Sequence, residues 1–147
     1  MFKNFFYIFF FIFKILFPLD KNLLIFGDRA GRRFCDNSRY LFFHINSLKK
    51  KRCVWLSKDE TIVKRVRRMG YESYLANSLI GIFLSLRADW HIYNFGELDI
   101  NSFLTKFSKN INLWHGLMFK KFKKNKSQGF FFIRCCKFIK VFLIIIS

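Results

Sequence analysis

Five short apolar runs, separated by stretches of helical periodicity, constrain the fold of this chain more than any other feature. Each run has four or five residues and is rich in aliphatic or aromatic side chains, which is typical of a buried strand. We predict strands at Leu23–Phe26, Cys53–Ser57, Tyr71–Leu75, Trp90–Tyr93 and Ile111–Trp114. Because strands that alternate with helices form βαβ units, the predicted fold class is α/β, with a Rossmann-like parallel sheet and flanking helices.

Three helices are predicted between the first four strands, each with a recognisable start or stop. The first extends to about Leu48, the second ends before Gly70, and the third covers Leu79 to Leu86. Ser, Asn and Asp are preferred N-cap residues because their side chains accept hydrogen bonds from free backbone N–H groups. The expected caps are Asp36, Asn37 or Ser38 for the first helix, Ser57 for the second and Asn77 for the third.

Both ends of the chain are strongly hydrophobic. Residues 5–13 are all aromatic or aliphatic, and the apolar stretch ends at residue 19, about 15 residues in all. A spanning helix needs about 20, so we predict a hydrophobic, membrane-associating helix over residues 1–19 that lies in the membrane interface or, at most, enters the membrane as a short, tilted segment. The alternative is a Phe-rich helix buried in the core.

The last part of the chain, residues 122–147, is first basic and then hydrophobic. Arg134, Lys137 and Lys140 lie three residues apart and would form one stripe on a hydrophobic helix. Such a helix fits an anionic membrane surface. The other explanation is a truncation product whose tail lacks its native partner. Residues 22–121 are left as the folded domain.

The charge of the chain predicts an anionic partner. Lys and Arg number 27 against 9 Asp and Glu, a formal net charge of +18, and the 23 Phe residues exclude a disordered basic tail. Membrane surfaces, nucleic acids and phosphorylated substrates all fit this charge. We expect no nucleic-acid partner, because the aromatic residues lie in apolar runs and do not alternate with basic residues as on a base-stacking surface.

Cysteine usage and glycine spacing give no sign of a metal or a cofactor. The four cysteines form no CxxC pair and no zinc-type spacing, and they are too few for a disulfide framework. GxGxxG and P-loop motifs are absent from the sequence. We expect reduced thiols in a cytosolic setting, no cofactor and no metal.

Two segments resemble a known family. In the first, a Phe-Gly pair at the end of the first predicted strand is followed by an aromatic residue and then by Asp36 and Asn37. In the second, Trp-His-Gly at residues 114–116 is followed by paired lysines. Over about residues 22–121 the chain is similar to the CDP-glycerol glycerophosphotransferases, enzymes of teichoic-acid and capsule synthesis. Directly after Trp-His-Gly the family pattern has Thr-Pro, whereas this chain has Leu117-Met118.

The resemblance implies a role for the whole chain. It implies the N-terminal half of a two-domain, GT-B-like enzyme that moves glycerol phosphate from CDP-glycerol to a lipid-linked or polymeric acceptor. Such enzymes work at the cytoplasmic face of the bacterial plasma membrane. The nucleotide-binding domain is not among these 147 residues, so we expect the isolated chain to be inactive. The alternative is a non-catalytic, basic membrane-surface protein derived from the family.

The resemblance also assigns site residues. His115 matches the family's catalytic histidine, and a histidine at a strand end suits a general base because its pKa lies near neutral. Gly116, Lys120 and Lys121 are implied substrate-binding residues, the lysines neutralising phosphate charge. Asp36 and Asn37 are expected to cap a helix first and to contact substrate second.

Each assignment has a structural alternative. A histidine at a strand end is more often structural than catalytic, and the paired lysines belong to a cationic run that also fits a solvated or lipid-facing patch. The other two histidines, His44 and His91, are predicted to be packing residues.

Overall fold

A five-stranded sheet with helices packed against it is built by residues 18–114, the part of the chain that the computed structural model describes. The strands are β1 (Asp20–Phe26), β2 (Arg52–Ser57), β3 (Ser73–Leu75), β4 (Ala88–Tyr93) and β5 (Lys109–Asn112). The helices are α1 (Asp36–Leu48), α2 (Glu60–Arg68) and α3 (Leu79–Arg87). The predictions for the N-terminal hydrophobic helix, for His115 to Lys121 and for the C-terminal tail fall on residues 1–17 and 115–147, outside the described residues.

All neighbouring strands of the sheet are parallel, in the order β3-β2-β1-β4-β5. The predicted α/β class with a parallel sheet is therefore confirmed. The chain starts in the centre at β1, moves outward through β2 and β3, and then returns to the other side of β1 through α3. This reversal makes the boundary between β1 and β4 a topological switch point, where ligands commonly bind in open α/β sheets.

The predicted strands all exist, and β5 shows the largest shift in position. It covers Lys109–Asn112, whereas the apolar run predicted Ile111–Trp114. Lys109 and Asn110 are polar, yet they pair with Trp90 and His91 of β4. Only Ile111 of this strand is buried. The fifth strand is therefore a mostly polar edge strand, whereas the sequence predicted a buried apolar strand.

The caps of α2 and α3 lie one or two residues after the predicted positions. Asp59 caps α2 by accepting a hydrogen bond from the N–H two residues on (2.8 Å), and Ser78 caps α3 in the same way three residues on (3.1 Å). Ser57 is the last residue of β2, and its hydroxyl donates to the carbonyl of Gly31 at 2.6 Å. The Ser57 and Asn77 cap predictions are therefore wrong, while the stop at Gly70 is confirmed by its φ of +83°.

The core lies on both faces of β1, as period-2 alternation requires. On one face Phe26 packs with Phe42 of α1 and with Trp55 of β2, at ring distances of 5.3 and 6.4 Å. On the other face Leu23 and Ile25 belong to an aliphatic cluster that includes Leu84 of α3. Each such fully buried side chain contributes about 1.5–3 kcal/mol to folding, so the two layers fix β1 in the middle of the sheet.

The two packing predictions for histidine have different outcomes. His91 is fully buried in β4, as predicted. His44 is exposed on α1, so its prediction is wrong: the residues of α1 that face the sheet are Ser38, Phe42 and Ile45. Within residues 18–114 no helix combines the length and the apolar character that crossing a bilayer requires.

Candidate functional site at the carboxyl edge of the sheet

A cleft of about 530 Å³ opens at the switch point between β1 and β4. Its walls come from the loops that follow these two strands, and its lining residues are Arg29, Ala30, Phe95, Gly96, Glu97, Leu98, Asp99 and Ser102. The volume falls within the range of about 300–1,000 Å³ that is usual for small-molecule sites. Position and size together make this cleft the candidate functional site of the described residues.

The loop after β1 approaches the loop after β4 unusually closely. A Cβ atom at Gly27 would lie 2.6 Å from both the carbonyl oxygen of Asp99 and the Cγ1 atom of Ile100, so glycine is required there. The next residues turn through left-handed conformations, with φ of 44° at Arg29, 54° at Ala30 and 76° at Gly31. Left-handed non-glycine residues are strained and persist only where their surroundings hold them, and such strain concentrates at functional sites.

The carboxylate of Asp99 holds both loops in place. It is buried, and its Oδ1 accepts a hydrogen bond from the N–H of Ala30 at 2.7 Å. Its Oδ2 accepts from the N–H groups of Phe95 and Asn94 at 2.8 and 3.2 Å. Hydrogen bonds to an ionised acceptor are stronger than neutral ones, so one side chain fixes the strained turn on one wall of the cleft and the backbone of the other.

A second buried network joins β1, β4 and the start of α1. The amide of Asn94 donates to Asp28 Oδ1 at 3.0 Å and accepts from the N–H of Ser38 at 3.1 Å. Asp28 also accepts from the N–H and the thiol of Cys35, at 3.2 and 2.9 Å. Burial raises the pKa of Asp28, and the hydrogen bonds from Cys35 and Asn94 partly offset that rise.

The start of α1 differs from the prediction. Cys35 is the N-cap residue, and its side chain makes no capping hydrogen bond. Ser38 was a candidate cap, but its N–H is bound by Asn94 and its hydroxyl donates to the carbonyl of Gly27 at 3.2 Å. The prediction of a cap from Asp36, Asn37 or Ser38 is therefore wrong, because a distant asparagine supplies the acceptor that a local side chain usually gives.

Asp36 and Asn37, both predicted substrate contacts, have other partners in the structure. Asp36 forms an ion pair with Arg29 across 3.2 Å. The Asn37 amide donates to the carbonyl oxygen of Trp114 at 2.7 Å, and Asn112 accepts from the N–H of the same Trp114 at 2.9 Å. Trp114 has a left-handed φ of 59°. The residue before His115 is thus held from two sides, while the predicted roles of Asp36 and Asn37 in substrate binding remain predictions.

Three side chains in this region could in principle ligate a metal. Ligand atoms of Asp28, Cys35 and Asp36 lie within 4.8 Å of one another. Burial raises the pKa of the Cys35 thiol to about 12, and its hydrogen bond to Asp28 acts in the same direction. Since a thiol ligates metal as a thiolate, the raised pKa of Cys35 disfavours metal binding, and the hydrogen bonds from Cys35 to Asp28 and from Arg29 to Asp36 account for the grouping.

Arg29, Phe95 and Asp99 are site residues that sequence reasoning missed. The guanidinium of Arg29 stacks over the ring of Phe95, 4.7 Å from its centroid. An arginine in a basic chain and an aromatic in an aromatic-rich chain carry no signal by themselves. The available signs were the loops beginning at Gly27 and at Asn94, each at the end of a predicted strand, which is where parallel sheets place ligand-binding groups.

Comparison with known proteins gives one family. The chain matches the family model described as CDP-Glycerol:Poly(glycerophosphate) glycerophosphotransferase over residues 8–131 of its 147. The chain belongs to this family. The predicted family is therefore confirmed. No curated protein gives a significant match.

Solved structures of the wall teichoic acid polymerase TagF have the fold of this glycerophosphotransferase-family chain. One, a variant soaked for 30 minutes with CDPG, has 13% sequence identity and a TM-score of 0.52, and the match covers 76% of this chain and 30% of TagF. Another has 16% identity and a TM-score of 0.52, covering 76% of this chain and 27% of TagF. The chain thus spans less than a third of these relatives, and at this identity the likeness concerns the fold.

Proposed function

We propose that this chain forms the N-terminal, GT-B-type part of an enzyme that transfers glycerol phosphate from CDP-glycerol to a teichoic-acid or capsule-type acceptor. The observation that carries the proposal is the family match over residues 8–131. A ligand-sized cleft at the switch point of the sheet supports it. The family resemblance implies that the proposed complete site also includes a nucleotide-binding part.

The proposed chemistry is an in-line displacement at phosphorus. A hydroxyl of the acceptor attacks the phosphorus that carries the glycerol, and the bond to CMP breaks with its electron pair leaving on CMP. His115 takes the proton of the hydroxyl, and Lys120 and Lys121 neutralise charge on the phosphates. These three roles rest on resemblance alone. The described residues contribute the anchored Trp114 immediately before His115.

The proposed setting is the cytoplasmic face of a membrane. The formal charge of +18 supports attraction to anionic lipid. On α2 the cations Lys64, Arg65, Arg67 and Arg68 are all exposed. Such a face strengthens binding to anionic lipid by roughly 1 kcal/mol for each residue near the surface.

Transfer of labelled glycerol phosphate from CDP-glycerol to membranes tests the function directly. We expect transfer by the full chain, supplied with the remaining part of a family member where required, and loss of at least about a hundredfold in His115→Ala. His44→Ala, which removes an exposed histidine of α1, is the matched control and should retain activity. Equal rates in His115→Ala and the wild type would contradict the catalytic role of His115. Absence of transfer both by the chain alone and by the chain supplied with the remaining part of a family member would contradict the enzyme proposal.

The second candidate function, a non-catalytic membrane-surface protein, is favoured by the charge alone. It predicts that the chain binds vesicles containing anionic phosphatidylglycerol. It also predicts no transfer of glycerol phosphate, even when the remaining part of a family member is supplied. Sedimentation with these vesicles and with duplex DNA, across a range of salt concentrations, separates lipid binding from general polyanion binding. Equal affinity for both would contradict the membrane proposal.

A further inference from the structure

The cleft at the switch point brings together three kinds of group. Arg29 supplies a cation with several N–H donors, Phe95 supplies an aromatic wall, and the exposed side chains of Glu97 and Ser102 supply hydroxyl-binding oxygens. Arginine suits the planar, paired acceptors of phosphate. A carboxylate accepts hydrogen bonds from hydroxyl groups.

Arg29 is held in position before any ligand binds. Its guanidinium stacks on Phe95 at 4.7 Å, and its backbone is fixed in a left-handed turn by the hydrogen bond from Ala30 to Asp99. Preorganisation of this kind reduces the entropy lost on binding. The guanidinium faces an existing partner, Asp36, which a ligand would have to displace or share.

The ion pair between Arg29 and Asp36 is weak enough for that exchange. Nε and Nη2 of Arg29 both contact the same oxygen of Asp36, each at 3.2 Å, so the carboxylate does not form a two-oxygen fork. The side chains of Arg29 and Asp36 are 42% and 33% exposed. Exposed ion pairs contribute little, and a phosphate offers two oxygens where Asp36 offers one.

Glu97 restricts which phosphate ligands fit. A carboxylate in the cleft wall repels a ligand made only of phosphate, and it favours one that has hydroxyl groups beside a single phosphate. From these groups we propose that the cleft binds a glycerol-phosphate unit, with the phosphate on Arg29 and the glycerol hydroxyls on Glu97 and Ser102. This inference rests on the proposed function, since the donor and the acceptor of that reaction both carry this unit.

Direct binding to the full chain in neutral detergent tests the proposal without requiring catalysis. The probes are sn-glycerol 3-phosphate, inorganic phosphate and glycerol, measured by ligand-observed NMR. We expect sn-glycerol 3-phosphate to bind about tenfold tighter than phosphate, and Arg29→Gln to weaken it about tenfold or more. Arg29→Lys keeps the charge and loses the paired donors, so its loss should be intermediate. Glu97→Gln should reduce the preference over phosphate.

Arg33→Gln is the matched control, because Arg33 is exposed in the same loop and does not line the cleft. It should change the affinity by less than about twofold. Equal losses in the Arg29 and Arg33 variants would mean diffuse charge attraction and would overturn the proposal, as would absence of binding by the wild type. Circular dichroism of each variant confirms that the comparison is between folded proteins.

Competition distinguishes the two sources of the unit. Displacement by CDP-glycerol and not by CMP assigns the cleft to the donor, and stronger displacement by a glycerol-phosphate dimer assigns it to the acceptor. Displacement by CMP alone would overturn the proposal. If the wild type transfers glycerol phosphate and Arg29→Gln binds the ligand as tightly as the wild type, this inference is refuted and the proposed function stands. If binding depends on Arg29 but no transfer occurs, the proposed function is refuted and this inference stands.

Discussion

Replacement of Asp99 by asparagine is the sharpest test of how the cleft is held together. The two oxygens of Asp99 accept from the N–H groups of Ala30, Phe95 and Asn94 at 2.7, 2.8 and 3.2 Å. An amide keeps one acceptor oxygen, so its NH2 group must face at least one of these donors. A hydrogen bond to a charged acceptor contributes about 1.5–3 kcal/mol. We therefore expect Asp99→Asn to lower the free energy of unfolding by about 3 kcal/mol.

Urea unfolding followed by tryptophan fluorescence measures this loss, because Trp55 is fully buried in the core. A domain of this size has a total stability of about 5–15 kcal/mol and an m value of about 1–3 kcal/mol/M. The midpoint of Asp99→Asn should therefore fall by about 1–3 M urea. Glu60→Gln is the control, since it removes an exposed carboxylate whose helix pair with Lys64 is worth at most about 0.5 kcal/mol. A midpoint for Asp99→Asn within the range of this control would refute the reasoning.

Asn37→Ala removes the anchor on Trp114, and we expect amide hydrogen exchange at residues 112–114 to become about fivefold faster, as loss of about 1 kcal/mol implies. Because burial raises the pKa of the Cys35 thiol to about 12, Cys35 should resist iodoacetamide in the folded protein and react after unfolding, as mass spectrometry would show. A hydrogen bond from Arg52 lowers the pKa of Glu72. Glu72→Gln should therefore cost about 0.5–1 kcal/mol near neutral pH, and this cost should vanish as acid protonates the wild-type carboxyl below its lowered pKa.

Each of these three has its own check. Asn46→Ala deletes a similar bond, from Asn46 to the carbonyl of Phe42 at 2.8 Å, at the far end of α1, and it should leave exchange near Trp114 unchanged. Rapid alkylation of Cys35 in the folded protein would contradict its half-buried, protonated state. A loss in Glu72→Gln that is as large in acid as at neutral pH would show that the ion pair is not its cause.

The order of elements was predictable from sequence because it depends on local patterns. The run Leu23–Phe26 is apolar on both faces, and β1 is buried on both faces. Gly70 ends α2 because a left-handed residue without a side chain is needed there. β5 was placed two residues late, since Lys109 enters the sheet through backbone pairing and an ion pair with Asp89 rather than through apolar character.

The candidate site was predictable in location but not in its contacts. Parallel topology puts loop residues at the carboxyl edge of the sheet, and the cleft lies there. Asp28 and Asp99, however, each have one partner far along the chain, Asn94 at 66 residues and Ala30 at 69 residues. Local pattern favoured a helix cap from Asp36, Asn37 or Ser38, and the acceptor came instead from Asn94 in the loop after β4. A hydrogen bond between residues so far apart in the chain leaves no periodic pattern in a single sequence.

The hydrogen bonds that close the carboxyl edge also set the order in which this protein can mature during synthesis. The bonds from Ala30 to Asp99 and from Asn37 to Trp114 join residues that are 69 and 77 positions apart. A nascent chain can pair β1 with β2 once residue 57 has left the ribosome, but the loop that carries Arg29 has no Asp99 to hold it until much later. Contacts of such long range form slowly. A chain shortened before residue 99 therefore lacks the bond that holds this loop and part of one wall of the cleft.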